Sequence, residues 1–201
     1  MIRHLALLLI ALLICSPLQA QAPATPAPAD VRVALETGAG RIIIAVHQGK
    51  APITAANFLR YVDQKRLDGT SFYRGVGWAD YGFVQGGAQN DPKRVLPSIA
   101  HEPTTRTGLT HDDGALSMAR YAPGSATGDF FIVLGKMPGM DAHPEAAGDN
   151  QGFAVFAHVV EGMDVVKAIL AAPKSPTAGE GVMKGQMLEQ PVKIIIVRRL
   201  P

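Results

Sequence analysis

The chain has 201 residues, with 19 lysines and arginines against 17 acidic residues and a formal charge of +2. So even a balance gives no electrostatic reason to expect a nucleic acid or an anionic membrane surface as partner. A single cysteine, Cys15, excludes any disulfide within the chain.

Residues 1–20 read as a secretory signal peptide. Arg3 and His4 make a short basic start, Leu5 to Ile14 is unbroken and apolar, and Ser16 to Ala20 leads to a small residue. Cleavage is expected after Ala20 or Ala22. The apolar run is shorter than the roughly 18 residues that suggest a spanning helix. No stable membrane insertion is therefore expected after cleavage, an uncleaved anchor being the alternative. Bulky Ile14 before Cys15 argues against a lipoprotein. Loss of the leader removes Arg3 and Cys15, leaving a charge of +1 and no thiol. The layout implies a periplasmic or secreted protein that rests on its core alone. About 180 residues suffice for one compact domain, burying roughly 70% of the unfolded chain's surface.

Residues 21–30, with Pro23, Pro26 and Pro28 among alanines, describe an extended tether. The domain is expected over residues 31–200. Val31 to Glu36 alternates apolar and polar positions, the period of a half-buried strand. Thr37 to Gly40 supplies turn residues, and isoleucine-rich Arg41 to Val46 completes a hairpin. Pro52 suits the first turn of a helix whose Ala55, Phe58, Leu59 and Val62 share one face. Short strands are predicted at Ser71 to Arg74, Gly82 to Gln85, Ala115 to Ala119 and Phe130 to Leu134, then a longer one at Phe153 to Val160. Gly162 to Leu170 has helical spacing, with Met163, Val166 and Ile169 or Leu170 inward, and Val192 to Arg199 makes a last strand. Many strands and two isolated helices, without βαβ alternation, argue for a mainly β fold such as a closed antiparallel barrel capped by helices. Periodicity does not supply barrel closure or strand order.

Four blocks carry the functional information. They are Thr70-Ser-Phe-Tyr-Arg-Gly-Val, Gly82-Phe-Val-Gln-Gly-Gly87, Gly114-Ala-Leu-Ser-Met-Ala-Arg120 and Thr127-Gly-Asp-Phe-Phe-Ile132. Together they offer an arginine, an amide and several aromatics, with no evident nucleophile, base or metal ligand. That set suits gripping an apolar stretch of backbone better than cleaving a bond. In order and content the blocks resemble the signature of the cyclophilin-type peptidyl-prolyl isomerases, in particular bacterial exported ones, over about Val31 to Arg199. The resemblance implies an eight-stranded antiparallel barrel with a helix over each open end. It also implies rotation of X-Pro bonds in proline-containing polypeptides, with no cofactor and no metal, since no bond is broken.

By the same resemblance Arg74 is the catalytic residue, aiming its guanidinium at the prolyl nitrogen. Gln85 contacts the peptide backbone and helps hold the arginine, Phe131 is part of the floor under the proline ring, and Met118 and Ala119 lie beside the groove. Phe130, one residue from Phe131 on a strand, points the other way into the core. The chain also departs from the pattern. About three extra residues between Arg74 and Gln85 put Gly82 where the family has its pocket phenylalanine. Either Tyr81 or Phe83 then completes the pocket, with Gly75 to Tyr81 forming a mobile lip that carries Trp78. Asp129 replaces a glutamine and could pair with Arg74. Arg120 replaces an asparagine whose backbone makes the contact, and Phe153 stands where many members have histidine. No tryptophan stands near Met140-Asp141, which predicts weak cyclosporin binding. The altered pocket admits a second reading, a proline-segment binding module or chaperone with little turnover. His111-Asp112-Asp113 resembles a metal cluster only superficially and reads as a polar loop. His101-Glu102 lacks the second histidine of a zinc-protease helix.

Overall fold

The computed structural model describes residues 28–78 and 80–201, apart from the Trp78 side chain; the leader and most of the tether lie outside the described residues. Eight antiparallel strands close into a barrel in the order β1-β2-β7-β5-β6-β4-β3-β8, with β8 returning to β1. The strands are β1 (Val31–Thr37), β2 (Gly40–Val46), β3 (Ser71–Trp78), β4 (Tyr81–Gly87), β5 (Ala115–Met118), β6 (Asp129–Leu134), β7 (Ala154–Glu161) and β8 (Met187–Arg199). Closure satisfies both edges of every strand, which the alternation in any one strand cannot announce.

Helix α1 (Pro52–Asp63) follows the Val46 end of β2 and buries Ala55, Phe58, Leu59 and Val62 as expected. Phe58 packs edge-on to Phe130 at 5.6 Å and against Phe156 at 5.0 Å, sealing that end of the barrel. Its first turn carries no cap from its own sequence. Instead Glu102 reaches in from a distant loop and accepts hydrogen bonds from the Thr54 amide and hydroxyl, both at 2.7 Å. A carboxylate at a helix N-terminus satisfies orphan amides and complements the dipole. Helix α3 (Met163–Ala171) packs Val165 against Gly40, at the opposite end of β2, and buries Val166, Ile169 and Leu170. Between these helices comes α2 (Thr104–Thr107), a single turn ended by Gly108 in the left-handed region, which the apolar pattern had not indicated.

Three strands run longer than their patterns. β3 and β4 extend to Trp78 and from Tyr81, pairing Gly77 with Gly82 and Val76 with Phe83. The segment expected to be a lip is thus a regular ladder, which corrects that reading. β8 begins at Met187 although Pro191 interrupts its pattern. Arg74 faces Met187 while Phe72 faces Val192, so the proline sits in an irregular stretch where no ladder amide is needed.

Candidate active site

The strands β3, β4, β6, β5 and β7 carry apolar side chains on both faces. Their inward side chains, among them Phe72, Val84, Leu116, Phe130, Ile132 and Phe156, form the barrel core. Their outward side chains form a second cluster of Phe83, Ala115, Phe131, Val133 and Val155. Loops rise around that outer cluster and enclose a groove of about 470 Å³.

Strand alternation decides most of its floor. Phe83 and Phe131 lie side by side with ring centroids 5.3 Å apart, and Phe153 stands edge-on to Phe131 at 5.4 Å. Phe83 therefore completes the pocket. Tyr81 does not: it is 56% exposed at the hairpin end, beside Gly135 and outside the groove. Nor could an aromatic occupy position 82, because Gly82 has φ 144° and a Cβ there would collide with the Val76 carbonyl. Met118 is likewise corrected. It shares the inward face of β5 with Leu116 and is 2% exposed in the barrel core, while Ala119, one residue on, borders the groove.

Arg74 reaches the groove by a different device. The register of β3 shifts between Phe72 and Arg74, so Tyr73 and Arg74 both turn outward. A bulge of this kind re-aims side chains at the cost of one ladder position. The guanidinium lies 5.2 Å from the centre of the Phe83 ring, a cation–π distance. Its Nη1 donates to Gln85 Oε1 at 2.8 Å, and its Nε and Nη2 donate to Gln186 Oε1 at 2.9 and 2.6 Å. Gln85 uses its other end as a donor, from Nε2 to the Tyr73 hydroxyl at 2.7 Å. Burial raises the Tyr73 hydroxyl well above the ordinary tyrosine range, so it stays protonated. Burial also pulls the Arg74 guanidinium below its usual value, but an arginine remains charged at any physiological pH.

Asp129 borders the groove without pairing with Arg74. Its Oδ1 accepts the Gln89 amide at 2.8 Å, and the Asn90 amide also points to it. Gln89 and Asn90 both have left-handed backbones, φ 52° and 55°, so their adjacent N–H groups form a small anion nest that the carboxylate fills. Desolvation nevertheless raises the Asp129 carboxyl above its usual value. The Arg120 side chain turns along the rim. It bonds the Gly152 carbonyl at 2.8 Å and Asp149 at 2.7 Å, and stacks 5.1 Å over Phe153.

Below the floor, His111 is buried rather than part of a polar loop. One ring nitrogen meets Asp141 at 2.6 Å and the other meets Ser117 at 3.0 Å, with the ring stacked under Phe131. Serine, histidine and aspartate stand in triad order here, yet Ser117 has no exposed surface, so nothing can reach it. Burial lowers the His111 pKa despite Asp141, and the imidazole is neutral.

Several lining residues had no signal in the four blocks. Val182, Met183, Met187, Tyr121, Ser125 and Met140 line the groove, Met187 opposite Arg74 in the ladder and Met140 bonded through its carbonyl to the Phe153 amide. All but Met187, the first residue of β8, sit in loops or short 3-10 turns between the strands.

Residues 32–198 match the model of the family described as cyclophilin type peptidyl-prolyl cis-trans isomerase/CLD. A peptidyl-prolyl cis-trans isomerase of Acinetobacter baylyi is 36% identical over 171 residues, covering 85% of this chain and 86% of the relative. Peptidyl-prolyl cis-trans isomerase B of Escherichia coli is 36% identical over 141 residues, covering 68% and 82%. Among solved structures, a cyclophilin type isomerase of Cryptosporidium parvum superposes with a TM-score of 0.68 at 18% identity, over 86% of this chain and 98% of that one. The chain belongs to the cyclophilin-type peptidyl-prolyl cis-trans isomerases. It is an enzyme of that class, and the reaction is rotation about the bond before proline.

Proposed function

We propose that the groove takes an X-Pro segment of an unfolded or flexible polypeptide, with the proline ring on Phe83 and Phe131 and Arg74 as the catalytic residue. Amide resonance sets a barrier of about 18–20 kcal/mol to rotation. As the bond twists, that resonance is lost and the prolyl nitrogen regains a lone pair. An N–H aimed at that lone pair interacts more strongly with the twisted amide than with the planar one, which is the condition for catalysis. The observation that carries this reading is a charged guanidinium anchored beside an aromatic floor. A guanidinium has five N–H groups; three of those of Arg74 are engaged, leaving one on each terminal nitrogen. Gln85 orients the arginine, and Ala119, Arg120 and Asp129 border the bound segment. The structure of a similar Cryptosporidium parvum isomerase determined in the presence of the dipeptide Ala-Pro is in keeping with a proline-sized floor. No bond is made or broken, so the chemistry asks for no cofactor.

The substrates are proteins outside the cytoplasm, folding in the periplasm or after secretion. The basic start, apolar run and small residue of residues 1–20 support this placement. Among the described residues, no helix is long and apolar enough to cross a membrane.

A protease-coupled assay on a proline tetrapeptide tests the site. Acceleration of cis-to-trans relaxation by the wild type and its loss in Arg74→Ala are expected. Tight peptide binding without acceleration would instead identify a holder of proline segments. Mass spectrometry of the protein from its native host tests export: a chain starting at Gln21 or Pro23 is expected, and an intact leader in the cytosolic fraction would overturn the placement.

A further inference from the structure

We propose that Gln186 is a positioning residue for Arg74, holding the guanidinium in its groove-facing pose through a neutral acceptor so that its charge stays available to the substrate. The inference rests on the reading of Arg74 given above. Gln186 Oε1 accepts from both Nε and Nη2, at 2.9 and 2.6 Å, occupying the fork edge that a carboxylate usually takes. A guanidinium has donors only, so the oxygen of the carboxamide must be the atom that faces it. With Gln85 on Nη1, all three engaged N–H groups meet uncharged amide oxygens.

That choice contrasts with six other arginines of the chain, whereas Arg66 and Arg60 also meet amide or carbonyl oxygens. Arg32, Arg41, Arg94, Arg120, Arg198 and Arg199 each pair with an aspartate or glutamate. Arg74 has no such partner among the described residues. A carboxylate on its fork would neutralise the charge that a developing lone pair is meant to meet. An amide supplies the placement without the neutralisation.

The backbone shows that Gln186 is built to do this. The Gly75 amide donates to the Gln186 carbonyl at 2.9 Å, next to Arg74, and the Gln186 amide donates to Met183 at 3.1 Å. The preceding loop turns through Gly179, Gly181 and Gly185, all with positive φ, and delivers the amide against β3 immediately before β8 begins. The side chain is thus presented from a fixed backbone position on the far side of the guanidinium from Gln85.

The test compares Gln186→Leu and Gln186→Glu with the wild type, in isomerase kinetics and in the 15N spectrum of the Arg74 Nε–H. Loss of a hydrogen bond to a charged group corresponds to about ten- to a hundredfold in rate. Gln186→Leu is expected to lower kcat by about that factor with little change in KM, and to expose the Nε–H to fast solvent exchange. Gln186→Glu is expected to keep the Nε–H protected and still lose kcat, because placement survives while the charge is compensated. Full activity in Gln186→Glu overturns the role of neutrality, and full activity in Gln186→Leu overturns positioning altogether. Arg74→Ala separates the two levels: if it retains activity, the reading of Arg74 fails. If only the Gln186 variants retain activity, Gln186 alone is misassigned. In an Arg74→Ala background, Gln186→Leu is expected to add no further loss.

Discussion

The groove has a strand-borne half and a loop-borne half, and they are built by different rules. Phe83, Gln85, Asp129 and Phe131 stand on β4 and β6, where antiparallel pairing opposes Gln85 to Phe131 and Phe83 to Val133. Their positions follow from alternation and register, and the barrel core on the other face holds them. Tyr121, Ser125, Phe153, Val182 and Met183 come from loops, fixed by individual hydrogen bonds such as those from Arg120 to Gly152 and Asp149. In the proposed reading the strand half carries the catalytic group and a rigid floor, whereas the loop half makes the rim. Loss of strand-borne Arg74 should therefore change turnover most, and loss of a rim tether such as Arg120 should change binding.

The largest effect is expected from Arg74→Ala. Removal of a positioned transition-state donor typically costs about 10²–10³-fold, and kcat/KM on a proline tetrapeptide should fall by that order with an unchanged circular dichroism spectrum. Arg74→Lys should be impaired as well. An ammonium cannot engage Gln85 and Gln186 with one rigid fork.

A second expectation contrasts two neighbouring aromatics. Phe83→Ala removes a floor ring and the surface on which the guanidinium rests, so affinity for proline peptides should drop about tenfold or more. Burial of a ring of that size contributes on the order of 1.5–3 kcal/mol. Tyr81→Ala, at an exposed hairpin end, should leave peptide titrations unchanged. Equal effects from the two substitutions would sink the assignment of Phe83 as the pocket wall.

Arg120→Ala probes the loop half. It removes the contacts that tie the 149–153 segment to the rim and the cation over Phe153. KM should rise several-fold while kcat stays near wild type; a dominant fall in kcat would erase the distinction between the halves.

The smallest effect concerns pH. His111 is neutral in the fold with a pKa below its ordinary value, whereas the unfolded chain takes up that proton near pH 6.5. Below about pH 6.5 the unfolded state binds more protons, so stability falls as pH drops, levelling off under the folded pKa. Thermal midpoints from pH 8 to pH 5 should therefore decline less in His111→Gln than in the wild type, after comparison at pH 8. The floor above it would feel the same change, since Phe131 rests on the imidazole.

The sequence alone determined the elements whose information is local and periodic. The β1–β2 hairpin, the apolar face of α1, the inward and outward split of Phe130 and Phe131, and the contact of Gln85 with Arg74 were all legible. Each depends on neighbours two to four positions away or on a motif read in order. Met118 could have been excluded from the groove by the same alternation, since it shares parity with Leu116. What only the tertiary structure decided is non-local. The bulge that turns Tyr73 and Arg74 to one face depends on how β3 meets both β4 and β8. The choice of Phe83 over Tyr81 depends on hairpin register, which places Gly82 against the Val76 carbonyl. Asp129 turns from Arg74 because a left-handed pair of residues offers it two amides. Gln186 lies 112 positions from Arg74 along the chain, with no pattern to join them. Such contacts arise only when the barrel closes and brings β8 beside β3, because hydrogen-bond partners across a closed sheet are set by geometry rather than by spacing in the chain.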